Sequence, residues 1–201
     1  MKRRQLLTFL MALLILVPAT SSASSVIQVT FNDLVLSSEL IFEGRVVDKR
    51  AEMSAGGTIH TYVTFRIQDV IKGSHSDSQI VLRYQGGTVG ALTLEVSDLV
   101  VPGIGETGIY FVESTTRPLV HPLYGWDQGH FVVMTAGTDR TERVFSRNLK
   151  PVAGIQQTDG KASGLSNGIA SGLQVAEPDR RNEAMSVSTF RQKVREIVAK
   201  P

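Results

Sequence analysis

The sequence predicts a mainly β protein, an antiparallel barrel or sandwich with a short N-terminal helix and an amphipathic C-terminal helix. Between residues 39 and 145, short runs of β-branched and apolar residues alternate with glycine-rich breaks, as in folds built from many short strands. The clearest run is Ile59 to Gln68, in which one strand face carries the apolar residues Ile59, Val63, Phe65 and Ile67 together with Thr61. The chain has no cysteine. Disulfides and thiolate metal ligands are therefore excluded.

The first 23 residues have the three parts of a secretory signal. Basic residues occupy positions 2–4, an apolar stretch covers 6–17, and small residues over 19–24 offer a cleavage site. The apolar stretch is shorter than the roughly 20 residues that span a bilayer. We therefore expect a periplasmic or secreted mature chain that begins at Ser24 and has no integral membrane segment after signal cleavage.

The charge of the mature chain argues against a nucleic-acid partner. Signal removal takes three of the 21 basic residues and none of the 19 acidic ones, which leaves a net charge of −1. No stripe of Lys and Arg remains that could follow a phosphate backbone. Nucleic acid is therefore not among the expected partners.

Helix signals stand at both ends of the β region. Residues 30–33 have the composition of a capping box for a short helix that runs toward Ser37. Ser186 or Ser188 can cap a second helix that ends near Ala199. Four apolar residues form one stripe of that helix, Val187, Phe190, Val194 and Ile197.

Composition divides the mature chain into three parts. Residues 24–150 form the predicted β domain, and residues 186–201 contain the terminal helix. The segment 151–185 between them is rich in Gly, Ser, Gln and Asn. Such a segment buries too little apolar surface to offset the entropy of ordering. We expect it to be a flexible linker.

Two glycine motifs resemble functional signatures but stand in the wrong context. Residues 164–168 match G-x-S-x-G, yet they lack the preceding strand and following helix that expose a nucleophilic serine. Residues 103–108 match G-x-G-x-x-G, but they precede a predicted strand, whereas a phosphate-binding loop precedes a helix. We interpret the first as part of the linker and the second as a turn.

The segment from His121 to His130 contains the main candidate site residues. Tyr124 and Trp126 can close one end of the β domain or, with Asp127, form a contact surface. If the segment folds back on itself, His121, Asp127 and His130 could supply three metal ligands or the groups of a hydrolase. Nothing in the spacing requires this. A contact surface is the favoured interpretation, and a hydrolase or metal-dependent enzyme is the alternative.

The order of the strand-like segments resembles a known family. The matching segments are 38–47, 61–73, 79–82, 86–90 and 105–112. This pattern is similar to the N-terminal domain of tissue inhibitors of metalloproteinases, and to secreted bacterial proteins that share it. The resemblance covers roughly Leu34 to Val133. It implies a five-stranded, OB-like barrel of the netrin-like class.

The resemblance also implies an inhibitory mechanism. Those inhibitors place the amino group and carbonyl of an N-terminal cysteine on the catalytic zinc of a protease, and disulfides hold that terminus. Here Ser24 and Ser25 would form the terminus. Their backbone atoms could still chelate zinc, but no covalent link would preorganise them. A secreted metalloprotease is therefore one candidate partner.

Together, these patterns predict an exported, non-catalytic binding protein that needs no cofactor and recognises another extracytoplasmic protein or a ligand. The candidate binding residues are Ser24 and Ser25 at the terminus and Tyr124, Trp126 and Asp127 in the loop. A third hypothesis is an envelope component that oligomerises through the terminal helix.

Overall fold

The structure, a computed structural model, describes residues 26–137, 139–156 and 162–200. The predicted signal peptide, its cleavage site and the predicted terminal residues Ser24 and Ser25 lie outside the described residues. Within the described part of the chain, no helix is long and apolar enough to cross a bilayer.

Strands make up most of the regular structure, as the spacing of the apolar runs predicts. In chain order they are β1 (Leu40–Met53), β2 (Ile59–Lys72), β3 (Gln79–Gln85), β4 (Gly87–Val89), β5 (Leu92–Leu94), β6 (Thr107–Val112), β7 (His130–Ala136), β8 (Thr141–Ser146), β9 (Val152–Ile155) and β10 (Leu173–Val175). The α-helices are α1 (Phe31–Ser37) and α2 (Val187–Val198), and 3-10 turns cover Trp126–Gly129 and Arg181–Glu183. The mainly β class and both predicted helices are confirmed.

The described residues contain one large sheet and two small ribbons. The large sheet is antiparallel, with six strands in the order β3-β2-β1-β6-β7-β8. β4 pairs with β5, and β9 pairs with β10. A barrel closes by pairing its first and last strands, whereas here β3 and β8 are separate edges. The sheet is open, so the predicted barrel is not confirmed.

The β1–β2 hairpin follows the sequence pattern closely. Its turn lies in the predicted glycine-rich break at 54–57, and alternate residues of β2 from Ile59 to Phe65 are buried. Three register shifts between β1 and β2 mark irregularities of the bulge type. Bulges bend a strand and increase its twist, which curves this part of the sheet.

One face of the sheet packs against both helices. α1 begins after Thr30, whose side-chain oxygen accepts a hydrogen bond from the Asp33 backbone N–H at 2.9 Å, as the capping pattern predicts. α2 begins after Ser186, whose Oγ accepts a hydrogen bond from the Thr189 backbone N–H at 3.2 Å. The predicted apolar stripe of α2 is entirely buried, at Val187, Phe190, Val194 and Ile197.

Phe190 lies at the centre of this helix–sheet interface. Its ring centroid is 5.6 Å from that of Phe31 in α1 and 5.0 Å from that of Phe131 in β7. At the edge of the interface, Arg195 donates to Asp69 of β2 at 2.8 Å. The stripe therefore packs on the chain's own body, which does not favour oligomerisation through this helix.

The opposite face of the sheet has a second core around Phe42, Phe65 and Tyr110. The Phe65 and Tyr110 ring centroids are 4.6 Å apart, and all three side chains are fully buried. We call the core between the sheet and the two helices, which contains Phe31, Phe131 and Phe190, the helix-face core. In β6, Ile109 and Phe111 belong to the helix-face core, whereas Tyr110 belongs to the core on the opposite face. The central strands are packed on both faces, which explains their nearly continuous apolar sequence.

The structure differs from the flexible linker predicted for 151–185. Within the described part of this segment, β9 pairs with β10, and an isolated bridge joins Thr30 to Ser171. Val152 and Ala170 are buried in the helix-face core. The apolar residues are spread thinly among glycines and polar residues, so average composition does not reveal that they contact this core.

Candidate functional site

A cavity of about 270 Å³ lies beside the segment that leads into β7. Trp126 and Asp127 form part of its wall, together with Asp98 and the loop 165–168. Val26, the first described residue, also lines it. The structure thus brings together segments that are far apart in sequence. We call this cavity the Trp126 pocket.

The side chain of Gln128 holds two of these segments together. Its Oε1 accepts a hydrogen bond from the Val29 backbone N–H at 2.9 Å, and its Nε2 donates to the Ile27 carbonyl at 3.0 Å. The same Nε2 also donates to the Gly125 carbonyl at 3.0 Å, and Gln128 is only 1% exposed. The start of the described chain is therefore fixed against the loop that carries Trp126.

Trp126 is presented by a tight, left-handed turn. Gly125 has a φ of 66° and Trp126 a φ of 58°. A Cβ atom at position 125 would lie 3.0 Å from Val29 Cγ2, so the close approach of the N-terminal segment favours glycine there. Asp98, on the same pocket, also has a positive φ, of 60°. Such conformations cost about 1–3 kcal/mol each for residues other than glycine and cluster at functional sites.

The Trp126 ring is supported from inside by two aromatic residues. It stacks on His121 with a centroid distance of 5.2 Å, and His121 meets Tyr84 edge to face at 5.1 Å. His121 Nδ1 accepts a hydrogen bond from the Leu123 backbone N–H at 3.1 Å. Burial lowers the pKa of His121 to about 3, with a smaller contribution from His130. At neutral pH His121 is thus uncharged, with its proton on Nε2.

Asp127 carries an unsatisfied carboxylate oxygen. Its Oδ1 is buried and has no hydrogen-bond partner within the described structure. Burial raises the pKa of Asp127 above its usual range, although the charges of His130 and Arg147 act in the opposite direction. Asp98 adds a second carboxylate to the pocket and also raises the Asp127 pKa. The pocket is therefore suited to a ligand that carries positive charge or hydrogen-bond donors.

His130 does not face the pocket as a free ligand. It is 1% exposed, and its Nε2 lies 2.6 Å from Glu106 Oε1. Burial lowers the pKa of His130 although Glu106 opposes this effect. Burial raises the pKa of Glu106, but the hydrogen bond and charge of His130 outweigh it, so the net shift is downward. The pair is a buried, mutually satisfied contact.

The alternative metal trio, His121, Asp127 and His130, is not assembled. In the part of the chain that the structure describes, no three His, Asp or Glu side chains are grouped so as to hold a metal ion. His130 binds Glu106, and His121 Nδ1 is used by the backbone, as described above. Among the described residues, the hypothesis of a metal-dependent enzyme therefore has no set of side chains that could bind the metal.

Several buried polar side-chain atoms near the Trp126 pocket have no hydrogen-bond partner among the described residues. Six buried side-chain atoms in the described residues have no hydrogen-bond partner. Five of them are Tyr84 Oη, Tyr110 Oη, His121 Nε2, Asp127 Oδ1 and Arg147 Nε. These groups act on one another. Burial raises the pKa of the Tyr84 hydroxyl; the charge of Asp127 also raises it, whereas that of Arg147 lowers it. Buried polar atoms in proteins are usually bonded, so this concentration marks one end of the molecule as chemically distinct.

A larger groove adjoins the pocket. It has a volume of about 780 Å³ and is lined by β1 and β2 residues and by the β4–β5 ribbon. Two carboxylates, Glu95 and Asp98, and one ammonium group, that of Lys49, lie along it. Asp98 lines both cavities, so the groove and the Trp126 pocket meet at this residue.

The sequence-predicted site residues have different outcomes. Trp126 and Asp127 line the pocket, whereas Tyr124 packs against the helix-face core. Ser24 and Ser25 lie outside the described residues, but Val26, which follows them, lines the same pocket. The first described residue, Val26, therefore lies on the same pocket as Trp126 and Asp127.

Sequence reasoning missed three parts of this site. Asp98 and Asn148 line the pocket but carry no motif that marks them, and the loop 165–168, which also lines it, was interpreted as part of the linker. In that loop, Ser166 Oγ accepts a hydrogen bond from the Gly168 backbone N–H at 2.9 Å. The loop follows no strand and precedes no helix, which agrees with the rejection of a nucleophile elbow.

Known proteins give no direct guide to this site. Comparison of the chain with protein-family models, with curated proteins and with solved structures finds no match. The arguments for function therefore rest on the geometry of the Trp126 pocket.

Proposed function

We propose that the chain is an exported, non-catalytic binding protein that recognises another extracytoplasmic protein through the Trp126 pocket. One observation carries the proposal: the pocket combines the left-handed residues Asp98 and Trp126 with the unpartnered, buried Oδ1 of Asp127. Strained backbone and unsatisfied polar groups both cost stability, so their coincidence at one cavity favours a role in recognition.

The rim of the pocket adds an apolar contact surface. Ile27 and Leu165 form an isolated antiparallel bridge and are 67% and 70% exposed. A pair of exposed large apolar side chains beside a pocket that contains two carboxyl groups resembles the mixed composition of protein-binding surfaces. A protein partner could bury this pair while placing a polar group in the pocket.

Crosslinking in the native host tests this proposal. A photo-reactive side chain would replace Leu165 at the rim or, as the control, Val81 on β3, which is 48% exposed and does not line the pocket. We expect one reproducible adduct from position 165 and none of the same mass from position 81. Asp127→Asn in the position-165 protein should reduce the adduct several-fold. Equal adducts from both positions, or an adduct insensitive to Asp127→Asn, would reject the pocket as the recognition site.

A specific observation favours one subclass of binding protein, an inhibitor of secreted metalloproteases. Val26, two residues after the predicted terminus Ser24, lines the Trp126 pocket. An inhibitor that presents its α-amino group to zinc needs a terminus that follows closely on a fixed part of the fold, and Val26 is such a part.

A panel of secreted zinc proteases tests the inhibitor hypothesis. The protein would be prepared with a verified Ser24 terminus and, as the matched control, with one extra residue before it. We expect the Ser24 form to inhibit at least one protease and the extended form to lose most of that inhibition. If neither form inhibits, or both inhibit equally, the terminus does not act on zinc.

The geometry supports binding better than the hydrolase alternative. His130 is almost inaccessible and is paired with Glu106, and His121 is 3% exposed. A general base must come within about 3 Å of the substrate proton, directly or through one water. Neither imidazole meets that requirement in this conformation.

A further inference from the structure

We propose that the Trp126 pocket and the adjoining groove bind an extended basic segment of the partner protein, with one Lys or Arg side chain in the pocket. This inference rests on the proposed binding function and adds the chemistry of its occupant. The groove and the pocket meet at Asp98, and carboxylates are present in both.

The sizes of the two cavities indicate the shape of the occupant. The pocket, at about 270 Å³, is slightly smaller than typical small-molecule sites of roughly 300–1,000 Å³. The groove is nearly three times larger, at about 780 Å³. An occupant that fills both must pass Asp98, with a single side chain in the pocket and a longer stretch along the groove. An extended peptide has this shape, because successive side chains of a strand point to opposite sides.

The charges indicate the chemistry of the occupant. Asp98 and Asp127 line the pocket, and Glu95 lies farther along the groove. Lys49 also lines the groove and contributes one positive charge there. The residues Asp98 and Asp127 bring two carboxyl groups to the pocket wall, and no Lys or Arg among the described residues lines the pocket. A guanidinium or ammonium group in the pocket would place a compensating charge beside them.

The indole of Trp126 adds a surface for the alkyl part of such a side chain. One face of the indole is used by the stack on His121, which keeps the ring orientation defined. Lys and Arg carry long apolar stems that pack on such surfaces while their charged ends remain hydrated or paired. The combination of indole and two carboxylates thus fits a basic side chain better than an acidic or purely apolar one.

Calorimetric titration with three blocked heptapeptides tests the inference. The peptides have three alanines on each side of a central Arg, Glu or Leu, and the protein is the mature full chain. We expect the Arg peptide to bind at least tenfold more tightly than the other two, because a charge-assisted hydrogen bond is worth about a factor of ten or more. The preference should fall as salt is raised.

Single-charge variants locate the binding. Asp98→Asn and Asp127→Asn should each weaken the Arg peptide by about five- to tenfold. Asparagine tolerates the left-handed conformation of Asp98, so this variant should keep the loop geometry. Asp77→Asn, in the exposed β2–β3 turn, removes the same charge away from the pocket and should leave binding within twofold. Far-ultraviolet circular dichroism and thermal unfolding verify that each variant is folded.

The outcomes separate this inference from the function on which it rests. Absence of Arg-peptide binding at millimolar concentration, equal binding of the three peptides, or equal loss in Asp77→Asn would overturn the basic occupant. If the crosslink from position 165 nevertheless persists and depends on Asp127, the pocket still binds a partner of different chemistry. If that crosslink is absent while the Arg peptide binds as expected, the site exists but the proposed partner protein does not.

Discussion

Phe190→Ala is expected to lower the free energy of unfolding by about 3–5 kcal/mol. Phe190 is completely buried, and its ring contacts Phe31, Phe111 and Phe131 with centroid distances of 5.6, 6.5 and 5.0 Å. Truncation removes the transfer free energy of a large ring. It also leaves a cavity among α1, α2 and the sheet that these neighbours can only partly fill.

Chemical denaturation followed by circular dichroism measures this effect. Val198→Ala is the matched control, because Val198 belongs to the same helix but is 38% exposed. We expect the control to change stability by less than about 0.5–1 kcal/mol. A loss below about 1 kcal/mol in Phe190→Ala would contradict the packing of α2 on the sheet. It would also reopen the hypothesis that this helix binds a second copy.

The fold is expected to lose stability as the pH falls from about 6.5 toward 3, mainly because of His121. Burial lowers the pKa of His121 to about 3, whereas an unfolded histidine titrates near 6.5. Between these two values the unfolded chain binds a proton that the folded chain excludes, so acid favours unfolding. From pH 7 to pH 4 this group alone should remove about 3 kcal/mol.

Other buried groups modify the acid response. His130 acts in the same direction, because its pKa is also lowered, and so does Glu106, whose net pKa shift is downward. Stability that depends on ionised Glu106 is lost as the pH falls through its folded pKa. Asp127 and Glu43 have raised pKa values, so protonating them in acid favours the folded state. A variant that removes only His121 is therefore needed to isolate its contribution.

His121→Asn provides that variant. The Asn side-chain oxygen can replace Nδ1 as the acceptor for the Leu123 backbone N–H, but it cannot become charged. We expect lower stability at pH 7 from the lost ring stacking, together with a loss between pH 7 and pH 4 that is about 3 kcal/mol smaller than in the wild type. His75→Asn, in the turn after β2, is the control and should keep the wild-type slope. An unchanged slope in His121→Asn would show that His121 is accessible to protons in the folded state.

Local patterns in the sequence were sufficient to predict most of the elements. The alternation from Ile59 onward places β2 correctly, because a strand with one buried face imposes a period of two. Thr30 and Ser186 mark the starts of the two helices, since their side chains satisfy free backbone N–H groups. These signals involve residues only a few positions apart, and so they can be read without knowledge of the fold.

Features that depend on distant contacts could not be predicted in this way. The order of strands in the sheet and the absence of closure arise from pairings such as β1 with β6, which no local pattern specifies. The packing of 170–173 on the helix-face core is similarly invisible in a segment dominated by glycine and polar residues. A few apolar residues of this segment, such as Ala170 and Leu173, pack on the core and order the chain there, although its average composition is polar.

In the candidate site, too, the residues with a local sequence signal were predicted, and those brought in by distant contacts were not. Trp126 and Asp127 were predicted because an aromatic residue and an acidic residue in a loop suggest a contact surface. Asp98 was not, although it is the residue shared by the pocket and the groove. Its φ of 60° belongs to a turn in which the Leu99 backbone N–H donates to the Val96 carbonyl at 3.2 Å. Surface turns of this kind are common, so no sequence signal distinguishes Asp98 from other exposed acids.

The most direct test of recognition at this pocket is the emission of Trp126, which is the only tryptophan in the chain. The protein captured by crosslinking at position 165 would be purified and titrated into the mature chain, with calorimetry recording binding in parallel. We predict that the emission changes in step with binding, and that Asp127→Asn weakens both signals together. Binding that saturates while the Trp126 emission stays constant, with equal affinity in Asp127→Asn, would contradict the assignment of this pocket as the recognition site.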